Sequence, residues 1–232
     1  MCRMREKTNP AEPLADCSRC IRLADFRAAN TLAEPGWHNA PVPSFGAATA
    51  KLLIVGLAPG LKGANRTGRP FTGDYAGDLL YATLVKYEFA RGTYGATAAD
   101  GLALQSCRIT NSVRCVPPQN KPVPAEIKSC GSFLQATINE MTQLAAIVAL
   151  GRIAHDAVLT SLGKRKSAFT FKHGARHPLT HDLSLFDSYH CSRYNTNTGV
   201  LTEAMFHQVF ADVRVQPLRS SRARRTRRQP CR

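Results

Sequence analysis

Acidic residues are scarce in this chain. Sixteen Asp and Glu stand against 31 Lys and Arg over 232 residues, a formal net charge of +15. That imbalance argues against a basic partner and predicts a polyanionic one, nucleic acid first and an acidic membrane surface second. Long hydrophobic runs are missing too. No window approaches the roughly 18 apolar residues of a membrane span, so no membrane-spanning helix is expected. Met1 to Asp16 is polar and proline-punctuated, without the apolar stretch of a signal peptide. A cytoplasmic location is therefore expected. Internal repeats are absent as well, which removes solenoids and propellers.

What remains is 44% hydrophobic, enough to bury one full core, so one domain is expected over residues 1–216, with 1–16 as a variable N-terminus. Residues 217–232 read as a disordered, arginine-rich tail. Seven arginines and no carboxylate lie there, with too few apolar residues to bury. Without those seven the chain still carries 24 basic residues against 16 acidic, so the body keeps about half of the excess. The tail is either a nucleic-acid arm or simply a solvated end.

Leu52-Leu-Ile-Val-Gly56 and Ala145-Ala-Ile-Val-Ala-Leu150 are short, continuous apolar runs of the kind buried in parallel sheets. Cys107 to Val113 alternates and reads as another strand, and Ser184 to Tyr189 as the last. Helical spacing follows Tyr75, runs from Pro124 toward Met141, and passes through Ile153, Ala157 and Val158. Thr202 can N-cap a final helix whose Phe206, Val209, Phe210 and Val213 share one face. Strands alternating with helices predict an α/β fold, a three-layer α/β/α sandwich with a mostly parallel central sheet. Ligands in such folds sit beyond the carboxyl ends of the strands.

Two loops fall on that rim. The first, Gly56-Leu-Ala-Pro-Gly60 through Asp74, fails as a Walker A loop, with three residues between its glycines and Lys62 followed by Gly63. It offers instead a backbone that a ligand can approach closely, with exposed amides near Gly60. Phe71 can stack on a planar base, and the Asp74 carboxylate can orient water; their ordinary roles would be core and helix cap. The late loop brings His190, Ser192 and Asn195, and the middle of the chain adds Asn111 and Asn120. An asparagine can read one donor and one acceptor on a base edge, although a turn is its commoner duty.

Eight cysteines in a reducing compartment are poor disulfide candidates and better ligands or nucleophiles. Cys17-Ser-Arg-Cys20 can present two thiolates to one metal, and Cys115 with Cys130 can complete a four-sulfur set. Spacing alone leaves zinc and an iron–sulfur cluster both open, zinc slightly ahead, with unrelated buried thiols as the plain alternative.

Together these segments resemble the type-5 uracil-DNA glycosylases. The similarity is carried by Gly56-Leu-Ala-Pro-Gly60, Gly63-Ala-Asn-Arg-Thr-Gly-Arg-Pro-Phe-Thr-Gly-Asp74, Val113-Arg-Cys-Val-Pro-Pro-Gln-Asn-Lys-Pro122, Ala149-Leu-Gly-Arg-Ile153, and His190 with Ser192, Asn195 and Thr198-Gly-Val-Leu-Thr202. It runs from about Cys17 to about Val213. It implies a monofunctional glycosylase of base-excision repair, freeing uracil from double-stranded DNA, and also other deaminated bases such as hypoxanthine or xanthine. It also implies a structural 4Fe-4S cluster on Cys17, Cys20, Cys115 and Cys130, which moves the cluster ahead of zinc. Asp74 matches the family's water-activating carboxylate, His190 its leaving-group histidine, Phe71 its stacking aromatic and Asn120 its base-pocket asparagine. Asn111 matches a base-reading asparagine of the sister type-4 enzymes. The chain departs from the family at Lys62, where His is usual, and at Cys191 and Tyr194, where Pro and Gln are usual. Those changes bear on how the late loop enters a duplex. A monomer in the cytoplasm, associated with the nucleoid, is expected. Two other readings are a non-catalytic, metal-stapled binder of damaged or single-stranded DNA, and a hydrolase of free nucleosides.

Overall fold

The computed structural model describes residues 10–216, so the arginine-rich tail and the first nine residues lie outside the described part. In chain order the main elements are α1 (Ile21–Ala33), β1 (Leu52–Gly56), α2 (Ala64–Thr67), α3 (Tyr75–Lys86), β2 (Ala90–Arg91), β3 (Ala103–Leu104), β4 (Cys107–Asn111), α4 (Pro124–Glu140), β5 (Ala146–Leu150), α5 (Arg152–Ser161), β6 (Arg176–Pro178), β7 (Ser184–Ser188), α6 (Arg193–Asn197) and α7 (Glu203–Val215). Five strands form the central sheet in the order β4-β1-β5-β7-β6. The first four are parallel and β6 is antiparallel on β7.

The apolar runs are continuous because both faces of the sheet are covered. Along β1, Leu52 and Ile54 pack against Leu80 and Leu84 of α3 and Phe206 and Phe210 of α7. Leu53 and Val55 point the other way, into Leu134 and Ile138 of α4 and Ala154 and Val158 of α5. The period-2 geometry of a strand thus feeds two apolar layers from one run of residues. This is the expected α/β/α sandwich. All five residues of β4 are buried, so the alternation expected from Cys107 to Val113 is absent and the strand stops at Asn111. Two of its polar members find partners: Ser44 Oγ donates to Thr110 Oγ1 at 3.0 Å, and Arg108 pairs with Glu12 and Glu140.

The rim of this sheet is set by helix caps. Asp74 caps α3 by accepting from the Gly77 amide, and Thr202 caps α7 by accepting from Met205. Helix α1, the β2–β3 hairpin, β6 and the short α6 inside the late loop were not anticipated by the apolar pattern. Helix α1 buries only Leu23 and Arg27, so it carries almost no apolar stripe to read.

Candidate active site

The carboxyl ends of β1, β4 and β7 open into one cavity of about 330 Å³, within the range of small-ligand sites. Its wall includes Gly60, Phe71, Asp74, Asn111, Asn120, His190 and Ser192, drawn from three separate loops. The residues singled out from the sequence therefore converge, with one exception. Asn195 is not part of the wall; its Nδ2 donates to the His190 main-chain oxygen at 2.8 Å and so braces the late loop.

Glycines let this wall close up. A Cβ at Gly56 would stand 2.4 Å from Asn111 Oδ1 and 2.5 Å from the tip of the Phe71 ring. At Gly63 it would stand 2.4 Å from Asp74 Oδ2. Any side chain at either position would push a site residue aside. Phe71 is held at φ 53°, a left-handed conformation costing an ordinary residue about 1–3 kcal/mol. Its ring lies 6.0 Å from that of His190, tilted by 31°. Asn120 also has a positive φ and is exposed at the cavity's edge. Asn111 is buried, and among the described residues its Oδ1 has no hydrogen-bond partner. A buried acceptor left open costs stability, so a ligand donor there would recover it.

Burial decides the two titrating groups. It raises the Asp74 carboxyl above its ordinary range, opposed by amide hydrogen bonds from Gly77 and Ala76 and reinforced by the nearby Asp78. It pushes His190 down to about 4, so the imidazole is neutral near pH 7. A neutral ring here offers a hydrogen bond rather than a charge. Tyr75 and Arg193 also line the mouth, with the guanidinium 5.2 Å from the ring centre. Tyr75 was missed; its only signal was adjacency to Asp74. Cys191 is wholly buried, its Sγ 3.4 Å from the Ala76 oxygen, while Tyr194 is 74% exposed.

Cys17, Cys20, Cys115 and Cys130 gather at one corner, around Leu23 and Phe133 and between α1, α4 and the segment after β4. None of the four is in a disulfide. Arg27 Nη1 donates to Cys115 Sγ at 2.7 Å, and the Arg114 amide donates to Cys130 Sγ at 3.3 Å. Four sulfur donors in an apolar pocket, with N–H groups already aimed at two of them, suit an anionic metal–thiolate group. A second cluster was not foreseen. Asp187 accepts from His155 Nδ1 at 2.7 Å, His177 Nε2 at 2.9 Å and the Lys172 amide at 3.2 Å. Its three side chains come from α5, β6 and β7 and follow no local motif.

Comparison with known proteins identifies the family. The Uracil DNA glycosylase superfamily profile matches residues 43–214. The chain is 41% identical to the type-5 uracil-DNA glycosylase of Thermus thermophilus, covering 88% of this chain and 94% of that one. It is 41% identical to the type-5 enzyme of Mycobacterium leprae, covering 85% and 90%. Against the type-5 enzyme of Pyrobaculum aerophilum the identity is 37%, over 82% and 84%. With a family match and relatives of this identity and length, the chain belongs to the uracil-DNA glycosylase superfamily, among its type-5 enzymes.

Proposed function

We propose that this chain is a DNA base-excision repair glycosylase that hydrolyses the N-glycosidic bond of uracil in double-stranded DNA, leaving an abasic site and free base. The observation that carries the reading is the meeting of Asp74, Phe71, Asn111 and His190 on the wall of one small cavity. The target nucleotide must leave the helix to reach it, at a cost of a few kcal/mol that is least for a mispaired base. Phe71 stacks on the extruded base, and Asn111 and Asn120 hold its edge. Cleavage puts positive character on the sugar and negative charge on the departing base. Ionised Asp74 orients the attacking water and offsets the sugar's charge. Neutral His190 donates to the base oxygen as charge builds there, together with amides near Gly60. Amide groups answer the edges of deaminated pyrimidines and purines alike, so hypoxanthine and xanthine belong to the proposed range. Among the described residues no lysine lines the cavity, so no Schiff-base route is proposed.

The corner of four cysteines would hold a 4Fe-4S cluster, whose part is to fasten α1 to α4 and to the segment after β4. N–H groups of Arg27 and Arg114 aimed at two of the sulfurs support a buried anionic cluster there. The +15 charge favours a monomer gripping phosphates in the nucleoid; among the described residues no helix is long and apolar enough to cross a membrane.

Base release from a U·G duplex tests the reading. Wild type should free uracil, while Asp74→Ala and His190→Ala should be slowed by about 10²-fold or more each. Unchanged rates in both would refute the assigned roles. Tight binding to uracil or abasic duplexes without any release would favour the non-catalytic binder.

A further inference from the structure

Behind the cavity wall lies a polar assembly of Arg69, Tyr94 and Asp100, none of whose side chains lines the cavity. Arg69 sits two residues before Phe71, and its guanidinium donates to both oxygens of Asp100 at 2.8 and 2.6 Å. The two side chains are only 5% and 3% exposed. Arg69 Nε donates to Thr72 Oγ1 at 2.7 Å, and the guanidinium carbon lies 5.1 Å from the Tyr81 ring and 5.8 Å from that of Tyr94. Asp100 is fixed in turn by the amides of Gly95 and Leu102. The Arg69 guanidinium holds the Asp100 carboxyl far below the usual carboxylate range, so the pair stays charged at any working pH.

Tyr94 completes the grip. Its hydroxyl accepts from the Gly73 amide at 3.1 Å and donates to the Phe71 oxygen at 3.3 Å. A Cβ at Gly77 would stand 1.9 Å from that same oxygen and 2.6 Å from the Tyr94 hydroxyl. The carbonyl of the stacking residue, the first turn of the helix capped by Asp74 and the tyrosine hydroxyl therefore meet at one point. Phe71 at φ 53° would relax if this point were released.

We infer that residues 92–102 form a positioning brace, which through Arg69–Asp100 and the Tyr94 hydroxyl fixes the Phe71 ring and the Asp74 carboxylate relative to each other. The inference rests on the roles given to Phe71 and Asp74 above. Neither Tyr94 nor Asp100 lines the cavity. A displacement of about 1 Å at a reacting group can cost about 100-fold in rate, so a brace behind the site can matter as much as a contact within it.

The test uses the full chain with Tyr94→Phe, which removes one oxygen, and Asp100→Asn. Single-turnover uracil release should fall by about 10- to 100-fold. Inhibition by free uracil should weaken, affinity for an undamaged duplex should stay within about twofold, and Asp100→Glu should recover part of the rate. Val158→Ala is the stability control, since Val158 is buried in the opposite layer. If Tyr94→Phe and Asp100→Asn lower the melting temperature as Val158→Ala does, yet keep the wild-type rate and uracil inhibition, the brace is only structural and the inference is wrong. Phe71→Ala separates the two levels. Unchanged uracil inhibition in that variant overturns the stacking role itself, whereas a slowed Tyr94→Phe then still reports the hold on Asp74.

Discussion

The cavity rim and the cysteine corner both draw on the segment that follows β4, through Asn111 and Asn120 in one and Cys115 in the other, yet they treat polar groups in opposite ways. At the rim, Phe71 keeps a strained backbone, Asn111 Oδ1 lacks a partner and burial displaces both titrating groups from their ordinary ranges. At the corner, Arg27 ties Cys115 Sγ to the Cys17 oxygen, and Arg22 makes two hydrogen bonds to Glu126. One region stores unmet interactions that a ligand would satisfy. The other spends its groups on each other and holds the chain together. Substitutions at the rim should therefore change rate more than stability, and those at the corner the reverse.

The largest effect expected from that contrast is at Asp74. Asn is as good a helix cap as Asp, so Asp74→Asn should keep the melting temperature while cutting uracil release by about 10²- to 10⁴-fold. In wild type the acid limb of the rate should lie above the ordinary carboxylate range, because burial raises this carboxyl and only its ionised form orients water. His190, at about 4, should add no step between pH 6 and 8. A rate profile falling in that window, or a melting temperature that collapses with Asp74→Asn, would break the contrast from the rim side.

The corner should answer in the other currency. Cys115→Ser ought to abolish the brown colour that a 4Fe-4S cluster would give the purified protein. It should also lower the melting temperature by about 10 °C or more, at the 2–4 °C per kcal/mol of a domain this size. The fraction still folded at low temperature should release uracil within a few-fold of wild type. A variant as stable as wild type but inactive would place the corner in the chemistry and undo the distinction drawn here.

How much of this could be read from the chain follows the same divide. The strands β1 and β5 announce themselves because a two-sided core demands unbroken apolar runs, and α7 because one face carries Phe206, Val209, Phe210 and Val213. Asp74, Phe71 and His190 were legible because each follows a strand or sits in a glycine-rich loop, so topology alone brings them to the rim. Helix α1 was not, since its hold on the body runs through Leu23 and arginine contacts rather than a stripe. Asn195 looked like a base reader and braces His190 instead, because a side-chain amide fits either duty until its partner is known. The Arg69–Asp100 and His155–Asp187–His177 assemblies join residues far apart in the chain, and no local spacing encodes such pairings.

The smallest predicted effect sharpens the comparison with a third polar assembly that belongs to neither region. His155 has an acceptor at each nitrogen, Asp187 Oδ1 at 2.7 Å and the Phe169 oxygen at 2.9 Å, which is the pattern of a protonated ring. Burial by itself would lower its pKa, but the hydrogen bond and charge of Asp187, the Phe169 carbonyl and the charge of Asp156 carry it above the ordinary histidine value. His177 faces the same carboxylate from β6. A group raised on folding stabilises fully below its unfolded pKa, and that contribution is lost as pH rises through the folded value. The melting-temperature advantage of wild type over His155→Gln should therefore be greater at pH 6 than at pH 9, with uracil release at pH 7 little changed. An advantage that grows with pH would mean a neutral His155. The assembly would then count, like the rim, among the places where the fold leaves a polar group short of its full set of bonds.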